Sequence, residues 1–269
     1  MGIRKQLTNL LLLSLVTVVF TACPKRNVSP DTDTSLATRF TSVEQANNEM
    51  DALTSEIKAS NGTTLKTDAE NSILSMCATV TINTNNNDTI NAVVDFGNSN
   101  CLCADNKYRR GKVKIIGGKT KQNITVTTEN YYVNNNLIQM ERELHIVTGT
   151  YYVLTCNGYI TFADSSQTIN HHSVRTIQMT QGENTPTIKA DDVYSITGNS
   201  NGTNHLGRTY TATITTPIIR AGNCNYIKSG VIEITPQDML TRKIDFGSGD
   251  CDNLATLSIG NYSKSITIK

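Results

Sequence analysis

The sequence predicts an all-β fold, mainly an antiparallel meander, arranged as a β-sandwich or an elongated two-layer sheet with a short N-terminal helix. Three observations predict it. From Cys77 onward, apolar and polar residues alternate with period two, the pattern of strands with one buried face. The gaps between alternating segments are short polar turns, and none holds the helical crossover that parallel pairing requires. Finally, 39 Thr and 29 Asn stand against 10 Tyr, 5 Phe and no Trp, which suits solvated sheet faces over a thin core.

The 269 residues open with MGIRK, carrying Arg4 and Lys5, followed by an apolar run from Leu10 to Phe20 and then Thr21-Ala22-Cys23. A charged start, a short apolar middle and small residues before a break form the pattern of a secretion signal, here residues 1–22. A largely apolar run of eleven residues is too short for an ordinary bilayer-spanning helix. The stretch FTAC resembles the processing box of bacterial lipoproteins, and the resemblance implies a lipidated Cys23 as first mature residue. Two or more acyl chains would anchor it durably. Loss of Arg4 and Lys5 leaves 22 basic against 23 acidic side chains. A near-neutral chain has no positive field to hold phosphates, so nucleic acid is not an expected partner.

Residues 23–40, polar and with two prolines, read as a lipidated flexible tether. In the segment 41–76, Val43, Ala46, Met50, Leu53 and Ile57 recur at steps of three and four, one narrow stripe of a helix ended by Asn61-Gly62. A narrow stripe predicts loose packing. The β domain, 77–269, holds candidate strands at 78–83, 90–96, 112–116, 123–128, 131–133, 137–147, 151–157, 158–163, 173–179, 192–197, 209–216, 230–235, 242–246, 255–259 and 265–268. Between them lie turns such as NTNNND (83–88) and GNSNGTNHLG (198–207). Arg109-Arg110 with Lys112 and Lys114 reads as a solvated edge that discourages pairing.

One half-unit occurs twice. CATVTINTNNNDTINAVVDFGNSNC spans Cys77 to Cys101, and CNYIKSGVIEITPQDMLTRKIDFGSGDC spans Cys224 to Cys251. Each contains a cysteine, a strand, a polar turn, a second strand, Asp-Phe-Gly and a closing cysteine. Phe96 and Phe246 should anchor the core, Gly97 and Gly247 should allow a left-handed turn, and Asp95 and Asp245 should accept turn amides. With Cys23 assigned to lipid, six cysteines remain, and an exported protein permits disulfides. The duplication argues for Cys77–Cys101 and Cys224–Cys251, each loop contributing roughly 3–4 kcal/mol in the chain-entropy treatment. Cys103 and Cys156 are candidates for a third bridge. Cys101-x-Cys103 has no second close pair or spaced histidine, so no metal or other cofactor is expected.

Candidate chemistry is sparse. Glu141, Glu143 and His145 share one strand face, and Asp191 and Asp192 open another strand on opposite faces. No HExxH or EF-hand pattern occurs. The adjacent pairs Tyr131/Tyr132 and Tyr151/Tyr152 could present rings to a sugar or form ordinary sheet pairs.

The FTAC box, CATVTI, VVDFG, YRRGKVKI, ENYYVNNNLI, DDVYSITG, GTNHLGRTYT, YIKSGVIEI and KIDFGSGDCDNLATLSI together resemble a group of uncharacterised lipoproteins from the Bacteroides and Flavobacterium lineage. The resemblance covers most of 77–269 and implies export with surface or periplasmic display, at the outer membrane or cell surface; no activity follows from it. Taken together, these features lead us to expect a lipid-anchored envelope β protein, held to a membrane by its N-terminal lipid, with a non-catalytic binding, adhesion or structural role. A glycan or an envelope protein would be its partner. The alternatives are a glycoside hydrolase-like enzyme using scattered carboxylates such as Glu141, Glu143, Asp191 or Asp192, and a self-assembling surface subunit.

Overall fold

The computed structural model describes residues 31–59, 78–85, 89–118, 122–164, 167–185 and 188–268. The export segment, Cys23 and Cys77 lie outside these residues. Helix α1 (Ser35–Ala59) comes first. Its entry is fixed by the Asp33 carboxylate, which accepts the Ser35 amide at 2.9 Å. Among the described residues fourteen strands follow: β1 (Thr79–Asn85), β2 (Thr89–Asp95), β3 (Cys101–Leu102), β4 (Tyr108–Gly118), β5 (Asn123–Val133), β6 (Asn136–Ile146), β7 (Tyr151–Thr161), β8 (Thr168–Gln181), β9 (Val193–Thr203), β10 (Thr209–Ala221), β11 (Ser229–Pro236), β12 (Arg242–Ser248), β13 (Leu254–Ile259) and β14 (Tyr262–Thr267).

They form one antiparallel meander in chain order, with only the two-residue β3 set off the path beside β4. Its ends, β1 and β14, are not paired with each other, so the sheet is not closed into a barrel. The layer opposite the sheet is α1. Within one turn of the helix, Glu49 reaches β4 while Asp51 reaches β6 and β10. Those strands lie six intervals apart, about 29 Å in a flat sheet, against a helix about 10–12 Å across. The sheet must therefore curl around the helix.

The expected stripe Val43, Ala46, Met50, Leu53 and Ile57 is buried, joined by Leu36, Ala37 and Phe40. Loose packing is not observed. Glu44, Gln45, Asn47, Glu49 and Thr54 on the other flanks are buried too. The helix also begins six residues before the expected boundary at Thr41. Residues 31–34 are held by Arg242, which bonds Asp31 Oδ1 at 2.9 Å and Asp33 O at 3.3 Å, so the tether reading does not extend over 31–40.

Three strand boundaries differ for backbone reasons. Segments 123–128 and 131–133 are one strand with a register shift between Thr127 and Tyr131, where Asn130 adopts φ +45°. Opposite that bulge, Gly111 has φ +88°, and a Cβ there would stand 1.9 Å from Asn130 O. Segments 151–157 and 158–163 are likewise one strand, β7. The stretch GNSNGT, read as turn, is the second half of β9; its Gly202 lies so close to β8 that a Cβ would meet Asn170 O at 1.9 Å. The turn itself is narrower, with Asn204 Oδ1 accepting the amides of Leu206 and Arg208.

Candidate functional site

The most elaborate chemistry lies between helix and sheet. From β4 to β12, every second strand sends one arginine inward: Arg109 from β4, Arg142 from β6, Arg175 from β8, Arg220 from β10 and Arg242 from β12. The acids of α1 meet them. Arg109 bonds Glu49 at 2.8 Å and Asp105 at 2.6 Å, and its Nε donates to Tyr131 Oη at 3.2 Å. Arg142 and Arg220 share Asp51, the second at 2.7 Å. Arg175 bonds Glu44 at 2.6 Å and Arg242 bonds Asp31 at 2.8 Å. With Lys107 on Glu49 and Lys189 on Glu56, all four acids of the helix are paired. Burial without these partners would cost several kcal/mol per ion.

The two central carboxylates respond differently. Burial pushes Asp51 up, but Arg142 and Arg220 together outweigh it and hold the group below its ordinary value. Glu44 has one direct arginine, and burial wins, raising it. A small cavity of about 30 Å³ lies beside this cluster, between α1 and the inward aliphatics Leu154, Ile177, Ile196 and Ile214. Of its lining residues, Asn47 Oδ1, Arg175 Nη1 and Arg220 Nε have no hydrogen-bond partner among the described residues. The volume suits about one water molecule.

The basic run is therefore not a solvated edge. β4 lies between β2 and β5, and Arg109 is fully buried. Arg110 stacks on Tyr132 at 3.8 Å, Lys112 pairs with Asp95 at 3.1 Å, and Lys114 pairs with Glu129. The arginine series escapes sequence reading because charged residues are read as outward. A signal was present: Arg142 is two residues from Met140 and Leu144, Arg175 two from Ile177, and Arg242 two from Ile244, all at inward parity.

The two Asp-Phe-Gly turns have matching geometry. Asp95 Oδ1 accepts the Gly97 amide at 2.8 Å and Asp245 Oδ1 accepts the Gly247 amide at 3.0 Å. Phe96 and Phe246 are buried, and the glycines have φ +78° and +87°. Cys224 and Cys251 are bonded, with Cα atoms 5.7 Å apart. Cys101 is also disulfide-bonded, to a partner outside the described residues. Cys103 and Cys156 are free and buried, so the third bridge is not made. At least three strand intervals, about 14 Å along the sheet, separate them, beyond the Cα span of about 7 Å that a disulfide bridges.

Other candidates disperse. Tyr131 is buried, packed on Phe96 at 5.8 Å between ring centres and bonded by Arg109, so it offers no ring to a ligand. Tyr131 and Tyr132 sit at the end of β5, while Tyr151 and Tyr152 begin β7 at the opposite end of the strands. The two pairs form no common platform. Glu141, Glu143 and His145 share the exposed face of β6, where His145 Nδ1 bonds Asn123 Oδ1 at 2.6 Å. Asp191 and Asp192 lie beside β9, three strand intervals from β6, with Asp191 bonded by Thr185 and Asp192 by Tyr194. About 14 Å of sheet exceeds the carboxylate separation of about 5–9 Å that glycosidases use. No group of three metal-ligating side chains occurs among the described residues. In comparisons with known proteins, no family model, no curated protein and no solved structure matches this chain.

Proposed function

We propose that the protein is a lipid-anchored component of a bacterial cell envelope with a non-catalytic binding, adhesion or structural role. The anchoring rests on the export pattern of residues 1–22 and the FTAC box before Cys23. The resemblance to envelope lipoproteins of the Bacteroides and Flavobacterium lineage agrees with it. The role rests on one observation above all: the inward charges of the sheet are consumed by the acids of α1, so the interior serves cohesion. What remains for a partner is the outer sheet surface and its edges.

The test is expression of the full chain in a Gram-negative host, with mass spectrometry of the mature N-terminus and fractionation of the envelope. The expected result is an acylated Cys23 and recovery with membranes. Cys23→Ala should release the folded protein from membranes. Wild-type protein recovered in the soluble fraction with an unmodified Cys23 would overturn the proposal.

A further inference from the structure

We propose that the outer edge of β1 is a self-association surface, on which the same strand of a second copy pairs antiparallel about a two-fold axis. Among the described residues β1 pairs only with β2. Edge strands in natural proteins are blunted by charge, proline, bulges or short length. β1 has none of these. Its sequence TVTINTN is uncharged and free of proline, and all seven residues pair with β2 in unbroken register. The opposite edge, β14, carries Lys264.

The internal duplication indicates what such an edge accepts. β1 corresponds to β11: each follows the first cysteine of its unit and pairs with the strand leading to Asp-Phe-Gly. The far edge of β11 is occupied. β10 pairs there antiparallel, Ala212 opposite Ile234 and Ile214 opposite Ile232. In that stretch β10 exposes Thr209, Thr211 and Thr213 and buries Tyr210, Ala212 and Ile214. β1 repeats the alternation, with Thr79 and Thr81 exposed and Val80 and Ile82 half-buried against the core. A second β1 thus matches the strand that the equivalent edge already binds.

A two-fold axis through Thr81 sets Val80 opposite Ile82 of the second copy and Thr81 opposite its own counterpart. Antiparallel partners lie on the same face, so threonine meets threonine outside and β-branched apolar residues meet inside, both favourable cross-strand pairs. The contact is isologous and closes at two copies. It extends beyond the anchoring proposed above and does not depend on it.

The test is sedimentation of the full chain in density-matched detergent at tens of micromolar. Wild-type protein should be dimeric. Thr81→Lys places like charges face to face across the axis and should weaken the dimer by about two- to fivefold. An equimolar mixture of Thr81→Lys and Thr81→Glu should recover it, which a misfolded variant would not do. Ser265→Lys, on the β14 edge, should leave it unchanged. Monomeric wild type, undiminished association of Thr81→Lys, failure of the mixture to recover, or loss of the dimer in Ser265→Lys would each overturn the proposal.

Discussion

His171 shows how one buried side chain sets a pH response. Its ring packs edge-on against Phe40 at 5.7 Å. The Tyr210 hydroxyl donates to Asn170 O at 3.0 Å, so at 3.1 Å it accepts from His171 Nδ1. That leaves Nε2 unprotonated and buried, with no partner among the described residues. Burial, then the charges of Arg175 and His172, lower its pKa to about 3. The unfolded chain takes up this proton near pH 6.5 and the folded chain does not. The contribution to stability is therefore complete above about pH 6.5 and falls as pH drops toward 3. Between pH 7.5 and pH 5 the loss should reach about 2 kcal/mol. Urea unfolding of His171→Gln across that range should show a shallower decline than wild type; an identical slope would locate the response elsewhere. Asp51 acts lower on the scale. Its depressed pKa adds stability present above the ordinary carboxylate range and lost in stronger acid.

At the scale of elements, the two duplicated units supply the pairs β1–β2 and β11–β12 of the meander. In the second, Cys224–Cys251 ties the start of β11 to the turn after β12, closing a separation of 27 residues. Constraint of the unfolded chain by a loop of that length amounts to about 3–4 kcal/mol. Cys251→Ser combined with Cys224→Ser should lower unfolding stability by about 2–4 kcal/mol, measured by denaturant titration. The midpoint should then resemble that of reduced wild-type protein more than that of oxidised protein. A shift below measurement error would mean that the turn is held by its Asp245–Gly247 bond and by Phe246 alone. The two free cysteines play no such part. Cys156 sits mid-strand in β7 opposite Arg142, and burial raises its thiol pKa, keeping it an unreactive packing residue.

For the whole molecule, helix and sheet are conditions of each other. The sheet buries four arginines and half-buries a fifth, Arg220, and does not neutralise them itself, apart from the Arg109–Asp105 contact. The helix carries acids at 44, 49, 51 and 56 and is led in by Asp31. Several kcal/mol for each uncompensated buried ion, summed over these arginines, is as large as the total stability of an ordinary domain, about 5–15 kcal/mol. A chain lacking residues 31–59 should therefore show no cooperative thermal transition. A peptide of 31–59 supplied in trans should restore one. A cooperative, unchanged melt of the truncated chain would show that the sheet is self-sufficient.

The antiparallel meander, the stripe Val43-Ala46-Met50-Leu53-Ile57 and the twin Asp-Phe-Gly turns were legible in the order of residues alone. Each is a local pattern: alternation, helical spacing, or a carboxylate two residues before a glycine amide. What lay beyond the reach of that order was the burial of Arg109 within an apparently solvated basic run, the burial of the helix on its polar flanks as well as its stripe, and the strand made of GNSNGT. A lone arginine looks the same in sequence whether water or a carboxylate neutralises it, and Glu49 stands 60 residues from Arg109. Only the curling of the sheet brings such distant charges together. Burial of a charge is favourable only once its partner is in place, so that decision belongs to the tertiary structure.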